Sequence, residues 1–353
     1  MSGDRESAAS VVGSCRQGMA NFGIRIGEVV RALWAWAPRA PINWNVTGVA
    51  LSAAIIGASG LVLSFRLRHL DWEAVAADVR AVSPDNVAAA AFFVACGYAT
   101  LAMYDLFALR TIGAGQVPVR IAALTGATSY AIGHGVGAMV LVSAAIRYRI
   151  YSAWGLGVLD VAKISFIAGF TFWLGNITAL SISMAAVPDA AGAVDQIPDW
   201  GNRLIGILAL AVLAGYLIWV FGSRRVLGRN GVTLALPSGS MTLVQIGIGL
   251  MDLSCCSVVM YLLMPSLPAV DFIPLAVIVV FGTLLGFASH APGGLGVLDA
   301  TMLVALPSFD RAELVATLLL YRLLYFVGPF ALALAALGLR EAYVQLRPPR
   351  PSP

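Results

Sequence analysis

Long apolar runs separated by short polar links set the pattern of this chain. Crossing ~30 Å of hydrocarbon takes ~20 predominantly apolar helical residues. Runs that meet this requirement lie at 46–65, 87–109, 161–187, 204–222, 241–264 and 313–339. Two further runs, 121–146 and 272–306, are apolar but interrupted. The first carries Gly126, Gly133, His134, Gly135 and Gly137; the second carries His290, Pro292, Gly293, Gly294 and Gly296. A lipid-facing helix gains nothing from so much Gly, Pro and His. Broken backbone at membrane depth is tolerated only where it is buried in protein or lines a wet cavity. The two stretches therefore predict breaks, with Gly133, Gly135, Gly137, Pro292, Gly293, Gly294 and Gly296 as hinge positions of a transport or binding site.

Arginine placement decides how the runs cross, because cytoplasmic ends carry the excess of Arg and Lys. Arg5, Arg16, Arg25, Arg31 and Arg39 mark the N-terminal segment, Arg224, Arg225 and Arg229 the link 223–240, and Arg340, Arg347 and Arg350 the C-terminus. Arg147 and Arg149 form another cluster, whereas 188–202 carries Asp189, Asp195 and Asp199 and no Arg. Eight simple crossings would put Arg147, Arg149, Arg224, Arg225 and Arg229 outside and the three Asp inside. The conflict disappears if 121–146 and 272–306 are re-entrant hairpins that leave on the face they entered. A limb of ~12 helical residues reaches ~18 Å, past the bilayer midplane.

The expected fold is an all-α polytopic membrane protein with about six full transmembrane helices and two Gly-rich re-entrant hairpins. Both termini are expected in the cytoplasm. Each half then reads span, span, hairpin, span, in opposite orientations. Such an inverted-topology repeat places a substrate near the midplane, where the repeats meet. The boundaries are a polar lead-in over 1–45, a transmembrane domain over 46–340 and an Arg/Pro tail over 341–353. Within the lead-in, Ile24, Val29, Leu33 and Trp34 interleave with Arg25 and Arg31, a pattern suited to the membrane interface. Residues 1–28 mix charges and lack the apolar core of a signal peptide, so the first span is expected to be retained.

Composition agrees: 59% of the 353 residues are hydrophobic and only 11% charged, with a mean hydropathy of +0.86. A soluble globular chain is excluded. The net charge of +4 comes from Arg between spans and gives no reason to expect nucleic acid. Cys15, Cys96, Cys255 and Cys256, with His69, His134 and His290, show no metal-ligand spacing. Neither a metal nor a cofactor is expected, and no phosphate-binding Gly-x-x-x-x-Gly-Lys-Ser/Thr loop occurs.

Candidate chemistry is confined to a few charges inside the runs. An ionised side chain at the centre of a span costs at least ~2.5 kcal/mol, so each needs a partner or a watery cavity. Asp105, Asp252, Asp299 and Arg322 are such residues. Arg322 has Asp299 or Asp252 as a counter-ion, and two readings stay open: a clamp that fixes helix register, or a substrate path. Asp105 also fits a plain interfacial position, and Lys163 snorkels. His134 and His290 read as hydrogen-bonded structural residues. Arg147 and Arg149 flank Tyr148 at an interface, where paired guanidinium donors suit a lipid phosphate; a positive-inside anchor explains them equally well.

Tyr104-Asp105, Ser129-Tyr130-Ala131-Ile132 and Ile146-Arg147-Tyr148-Arg149-Ile150-Tyr151 together form a recognisable set. Thr171-Phe172-Trp173-Leu174-Gly175, Pro292-Gly293-Gly294-Leu295-Gly296-Val297 and Leu320-Tyr321-Arg322 extend it. In this order the set resembles the membrane region of bacterial lysylphosphatidylglycerol synthetase/flippases, over about residues 46–340. That family commonly has Glu where this chain has Asp299, and a small or Gly-rich stretch where it has Leu141–Ile146. The resemblance implies a free-standing form in the bacterial cytoplasmic membrane. It would move an aminoacylated or other anionic phospholipid between leaflets, with Arg147, Tyr148 and Arg149 receiving the phosphate. Asp105, Asp252, Asp299 and Arg322 would line or brace a midplane cavity. The soluble aminoacyl-transferase domain of the full-length members has no room before Pro353, so enzyme activity is not expected. Membrane phospholipid is the expected partner. The sequence leaves room for a homo-oligomer, and for a separately encoded lipid-modifying enzyme that the chain would serve without transporting anything.

Overall fold

Ser83 begins the first long helix: its hydroxyl accepts a hydrogen bond from the Asn86 amide at 3.2 Å, and Pro84 occupies the first turn. The computed structural model describes residue 73 and residues 82–136, 139–222, 226–229, 232–235, 237–266, 268–288 and 296–346. The lead-in 1–45, the span 46–65, Gly137, His290, Pro292, Gly293, Gly294 and the tail from 347 lie outside the described residues. Those described belong to one unit, 48–353.

In chain order the helices are α1 Pro84–Thr111, α2 Val119–Val136, α3 Met139–Tyr151, α4 Val158–Ala186, α5 Pro188–Asp195 and α6 Asp199–Gly222. They continue with α7 Gly239–Leu263, α8 Phe272–Ala288, α9 Val297–Ala305, α10 Arg311–Arg322 and α11 Gly328–Leu346. A π-helical turn, Leu323–Val327, joins α10 to α11 as one rod. Five helices among the described residues are long and apolar enough to cross a membrane: Pro84–Thr111, Val158–Ala186, Asp199–Gly222, Gly239–Leu263 and Glu313–Arg340. The all-helical polytopic expectation holds, with one small addition. Two short strands, β1 Val226–Arg229 and β2 Val232–Ala235, pair antiparallel between α6 and α7.

Both interrupted runs fold back on themselves. In the first, the Ser143 hydroxyl of α3 donates to the Ser129 carbonyl of α2 at 2.9 Å, and Gly133 faces Met139, so the limbs are antiparallel. The chain also returns to where it left: Tyr151, at the end of α3, donates to Asp105 near the end of α1. In the second, α9 lies against α8, with Leu298 and Thr301 beside Gly282. The shorter limbs have 13 and 9 residues. At ~1.5 Å per residue neither crosses ~30 Å of hydrocarbon.

The reason glycine clusters in the first run differs from the expectation. Gly133 and Gly135 are helical within α2 and do not unwind the chain. They permit close approach instead. A Cβ on Gly133 would lie 2.5 Å from Ser143 Oγ, and one on Gly135 would strike the Phe330 ring. Gly296 does serve a turn, with φ of 79° directly before α9.

Contacts between spans fix their relative directions. Gly97 lies by Cys255 and Tyr104 by Asp252, so α1 and α7 are antiparallel. Gln245 donates to Thr171 at 2.7 Å and Gly249 meets Gly175, so α4 and α7 are parallel. Phe170 lies by Tyr216 and Ser181 by Gly206, so α4 and α6 are antiparallel. The hairpins exchange partners between halves: α2 packs on α11, which closes the second half, and α8 packs on α4, which closes the first. With α1 and α7 crossing antiparallel, this is the arrangement two inverted repeats produce. Within the spans, several Thr and Ser hydroxyls donate to carbonyls four residues back, as Thr171 does to Ile167 and Thr178 to Leu174, whereas the Ser129 and Ser165 hydroxyls are buried without a partner among the described residues.

Two outcomes follow from these contacts. Gly175→Ala drives a methyl into the Gly249 backbone and is expected to cost about 1–3 kcal/mol, whereas Gly215→Ala, with nothing within 4 Å, is expected to be neutral; thermal unfolding in detergent compares them. Single cysteines placed at Gly115 and Gly155, in an otherwise cysteine-free chain, should react with a membrane-impermeant maleimide from one face of the membrane only, the same for both. Labelling from opposite faces would show a single crossing between them.

Candidate functional site

α1, α2 and α3 converge on a buried ion pair. Arg147, on α3, is 3% exposed and Asp105, on α1, is fully buried. Arg147 Nε donates to Asp105 Oδ1 and Oδ2 at 3.0 Å each, and Nη2 donates to Oδ1 at 2.7 Å. The Tyr151 hydroxyl, one turn further along α3, donates to Oδ2 at 2.7 Å. The guanidinium also stands 5.2 Å from the centre of the Tyr130 ring on α2, in cation–π geometry. The sequence put Arg147 at an interface with its donors open to phosphate. In the structure its Nε and one Nη2 donor are committed to Asp105, because a charge this deep needs a counter-ion more than the membrane surface needs an anchor. Tyr148 and Arg149 are half-buried.

Arg322 selects Asp299. Its Nη2 lies 2.7 Å from Asp299 Oδ2 and its Nε 3.3 Å from Oδ1. Asp299 also accepts the Gly296 amide at 2.8 Å and so caps α9. The pair thereby fastens the second hairpin's short limb to the last span, at the point where the π-turn begins. Arg322 Nη1 is buried and has no partner among the described residues.

Between the hairpins lies a cavity of about 530 Å³. Phe172 and Trp173 of α4, Phe287 of α8, and Tyr321, Tyr325 and Phe326 of the last span form much of its wall. Besides the tyrosines, polar side chains on the wall are few: Arg147, Asp252, His134, Ser143, Ser165 and Thr283. Asp105, Asp299 and Arg322 are not on it; they brace the elements that are. Asp252 stands within hydrogen-bond distance of two α1 hydroxyls, with Thr100 Oγ1 3.3 Å from Oδ1 and the Tyr104 hydroxyl 3.3 Å from Oδ2.

Val140, Leu141 and Trp173 line the cavity and are also 75%, 77% and 48% exposed, so they form its rim. Trp173 is close to the midpoint of α4, and Val140 and Leu141 follow the tip of the first hairpin. The opening is therefore apolar and lies at mid-depth along the span.

Several of these residues escaped the sequence reading. Tyr151 follows Arg147 by four positions, one helical turn, and that spacing was a usable signal. Thr100 and Tyr104 carried no signal without knowing that α1 crosses α7. His134, expected to be a hydrogen-bonded structural residue, has its Nδ1 buried without a hydrogen-bond partner among the described residues. The ring is enclosed by Tyr130, Phe287 and Phe326, with centroids 6.0, 5.5 and 6.2 Å away.

No protein-family model matches the chain. It is 29% identical over 299 residues to slr0712, an uncharacterised protein of Synechocystis, an alignment that covers 82% of this chain and 92% of the relative. It is 27% identical over 308 residues to the inner membrane protein YbhN of Escherichia coli strain K12, covering 85% of this chain and 94% of the relative. Together with the five apolar helices among the described residues, this similarity makes the chain an integral membrane protein.

Removing one partner of the buried pair should be more harmful than removing both. Arg147→Met leaves Asp105 buried without its counter-ion and is expected to cost about 3–5 kcal/mol, with the Asp105→Leu/Arg147→Met double variant regaining most of it. Thermal unfolding of the purified variants measures the difference. Equal losses in the single and double variants would mean that packing, and not charge, dominates there.

Proposed function

We propose that this protein moves a phospholipid, or a related lipid-linked head group, between the leaflets of the membrane. One observation carries the reading: a cavity with a few polar groups on its inner wall opens sideways, at mid-depth, through an apolar rim of Val140, Leu141 and Trp173. A water-soluble solute would have to cross hydrocarbon to reach such a mouth. A lipid can leave its acyl chains in the bilayer while the head group sits among the Arg147, Ser143 and Asp252 side chains, which replace part of its hydration. The likeness to the membrane region of lysylphosphatidylglycerol synthetase/flippases supports the same reading. It also favours an anionic or aminoacylated phospholipid as substrate.

In this account the protein acts as a transporter and not as an enzyme, with both termini in the cytoplasm. The two hairpins form the walls of the path. The Asp105–Arg147 and Asp299–Arg322 pairs hold their limbs in place, and Arg147 presents what remains of its donor capacity to the lipid phosphate.

Reconstitution into liposomes with a fluorescent phospholipid analogue tests this. The protein should speed leaflet exchange well above empty liposomes. Val140→Trp/Leu141→Trp, which narrows the rim without touching either ion pair, should slow exchange at least about tenfold, equivalent to ~1.4 kcal/mol of barrier, at unchanged thermal stability. Exchange no faster than in empty liposomes would leave the chain as a non-transporting partner of a separately encoded lipid-modifying enzyme.

A further inference from the structure

Of the charged groups on the cavity wall, Asp252 is the one without an ionic partner among the described residues. Arg147 is committed to Asp105, and Arg322, which is off the wall, to Asp299. The groups facing Asp252 from neighbouring elements are Tyr98, Thr100 and Tyr104 of α1, and Tyr130 of α2. From its own helix come Cys255 and Cys256, and from the last span Tyr321 and Tyr325. His134, Ser165 and Thr283 share the cavity. None of these brings an uncommitted positive charge.

The hydrogen bonds around the carboxyl indicate its state. Thr100 has a single hydroxyl proton, and its short bond, 2.6 Å, goes to the Gly97 carbonyl. Nothing is left to donate across the 3.3 Å to Asp252 Oδ1. That contact is satisfied when Oδ1 carries the proton and donates it to the Thr100 oxygen. Tyr104 donates to Oδ2 at 3.3 Å. The ion-paired Asp105 shows the contrast: Tyr151 approaches it to 2.7 Å, the shorter contact expected of a hydroxyl bound to a full negative charge. A carboxyl buried without a counter-ion keeps its proton until a cation arrives to replace it.

The surroundings also say which cation. Hard metal ions take roughly 6–8 oxygen ligands, and this wall is poor in oxygen. It is rich in ring faces, with Tyr130, Phe172, Phe287 and Tyr325 around the cavity, and these attract an organic ammonium.

We propose that Asp252 exchanges its proton for the ammonium group of a lipid head group. The O–H bond of the carboxyl breaks, the proton passes to water, and the intact ammonium takes its place as counter-ion, one for one. The inference rests on reading the cavity as a lipid path. It adds that amine-bearing lipids are preferred there and that their binding is tied to proton release.

Calorimetric titration of the purified full-length chain in detergent micelles tests this directly. The probes are dihexanoyl-phosphatidylethanolamine, its amine-free phosphatidylglycerol counterpart, and hexylammonium. Repeating each titration in buffers of different ionisation enthalpy counts the protons released. At mildly acidic pH about one proton should leave per ethanolamine lipid bound, and none with the glycerol lipid. Asp252→Asn should bind the ethanolamine lipid at least about tenfold more weakly, with no proton released. Thr100→Val, which removes the acceptor of the Asp252 proton, keeps the test available if Asp252→Asn does not fold: proton release should fall away at lower pH than in the native chain. Binding without proton release, release undiminished in Asp252→Asn, or a pH dependence unmoved by Thr100→Val would overturn the proposal. Hexylammonium binding as tightly as the lipid would overturn its lipid part. Because the measurement needs no transport, proton release without leaflet exchange in liposomes would reject the lipid-moving function and leave the exchange site standing.

Discussion

A charge persists inside a bilayer only beside its opposite, and the Asp105–Arg147 pair is where this structure meets that constraint most completely. Both side chains are buried, the guanidinium grips one carboxylate through two of its nitrogens, and Tyr151 fills a remaining position on it. The pair also joins elements that sequence order alone does not bring together. It ties the end of α3 back to α1, which closes the first hairpin on the face from which it entered. Without it, a short helix of 13 residues would have little reason to stop inside the membrane and return.

The second hairpin uses the same device with less burial. Asp299 caps α9 and grips Arg322 as the last span widens into its π-turn, and Tyr98 donates to the Tyr325 carbonyl inside that turn at 3.1 Å. A wide turn leaves a carbonyl without its usual helical partner, and a tyrosine from α1 satisfies it. The two hairpins thus approach the cavity on braced limbs. Their first limbs each pack on the other half's closing span, so neither half builds the cavity alone.

Much of this was legible before any coordinates. The apolar runs anticipated the described spans, and the Arg and Asp distribution pointed to a fold-back within 121–146, which the structure has, although Arg147, counted there as a surface charge, is buried against Asp105. The Asp299–Arg322 pairing was one of two candidates. What stayed hidden depends on how helices cross. Only the antiparallel contact of α1 with α7 brings Thr100 and Tyr104 to Asp252, and no spacing in the sequence encodes it. The glycines misled in an instructive way: Gly133 and Gly135 look like breaks, yet they lie in continuous helix and make room for Ser143 and Phe330. In a membrane, glycine also serves the close approach of helices.

The rim formed by Val140, Leu141 and Trp173 bears on more than what enters the cavity. Hydrated ions find no foothold on such a surface, so on the proposed lipid path a head group would change sides without a continuous water thread forming through that opening. The membrane would keep its voltage during such a passage, an insulation that a polar mouth of the same width could not give.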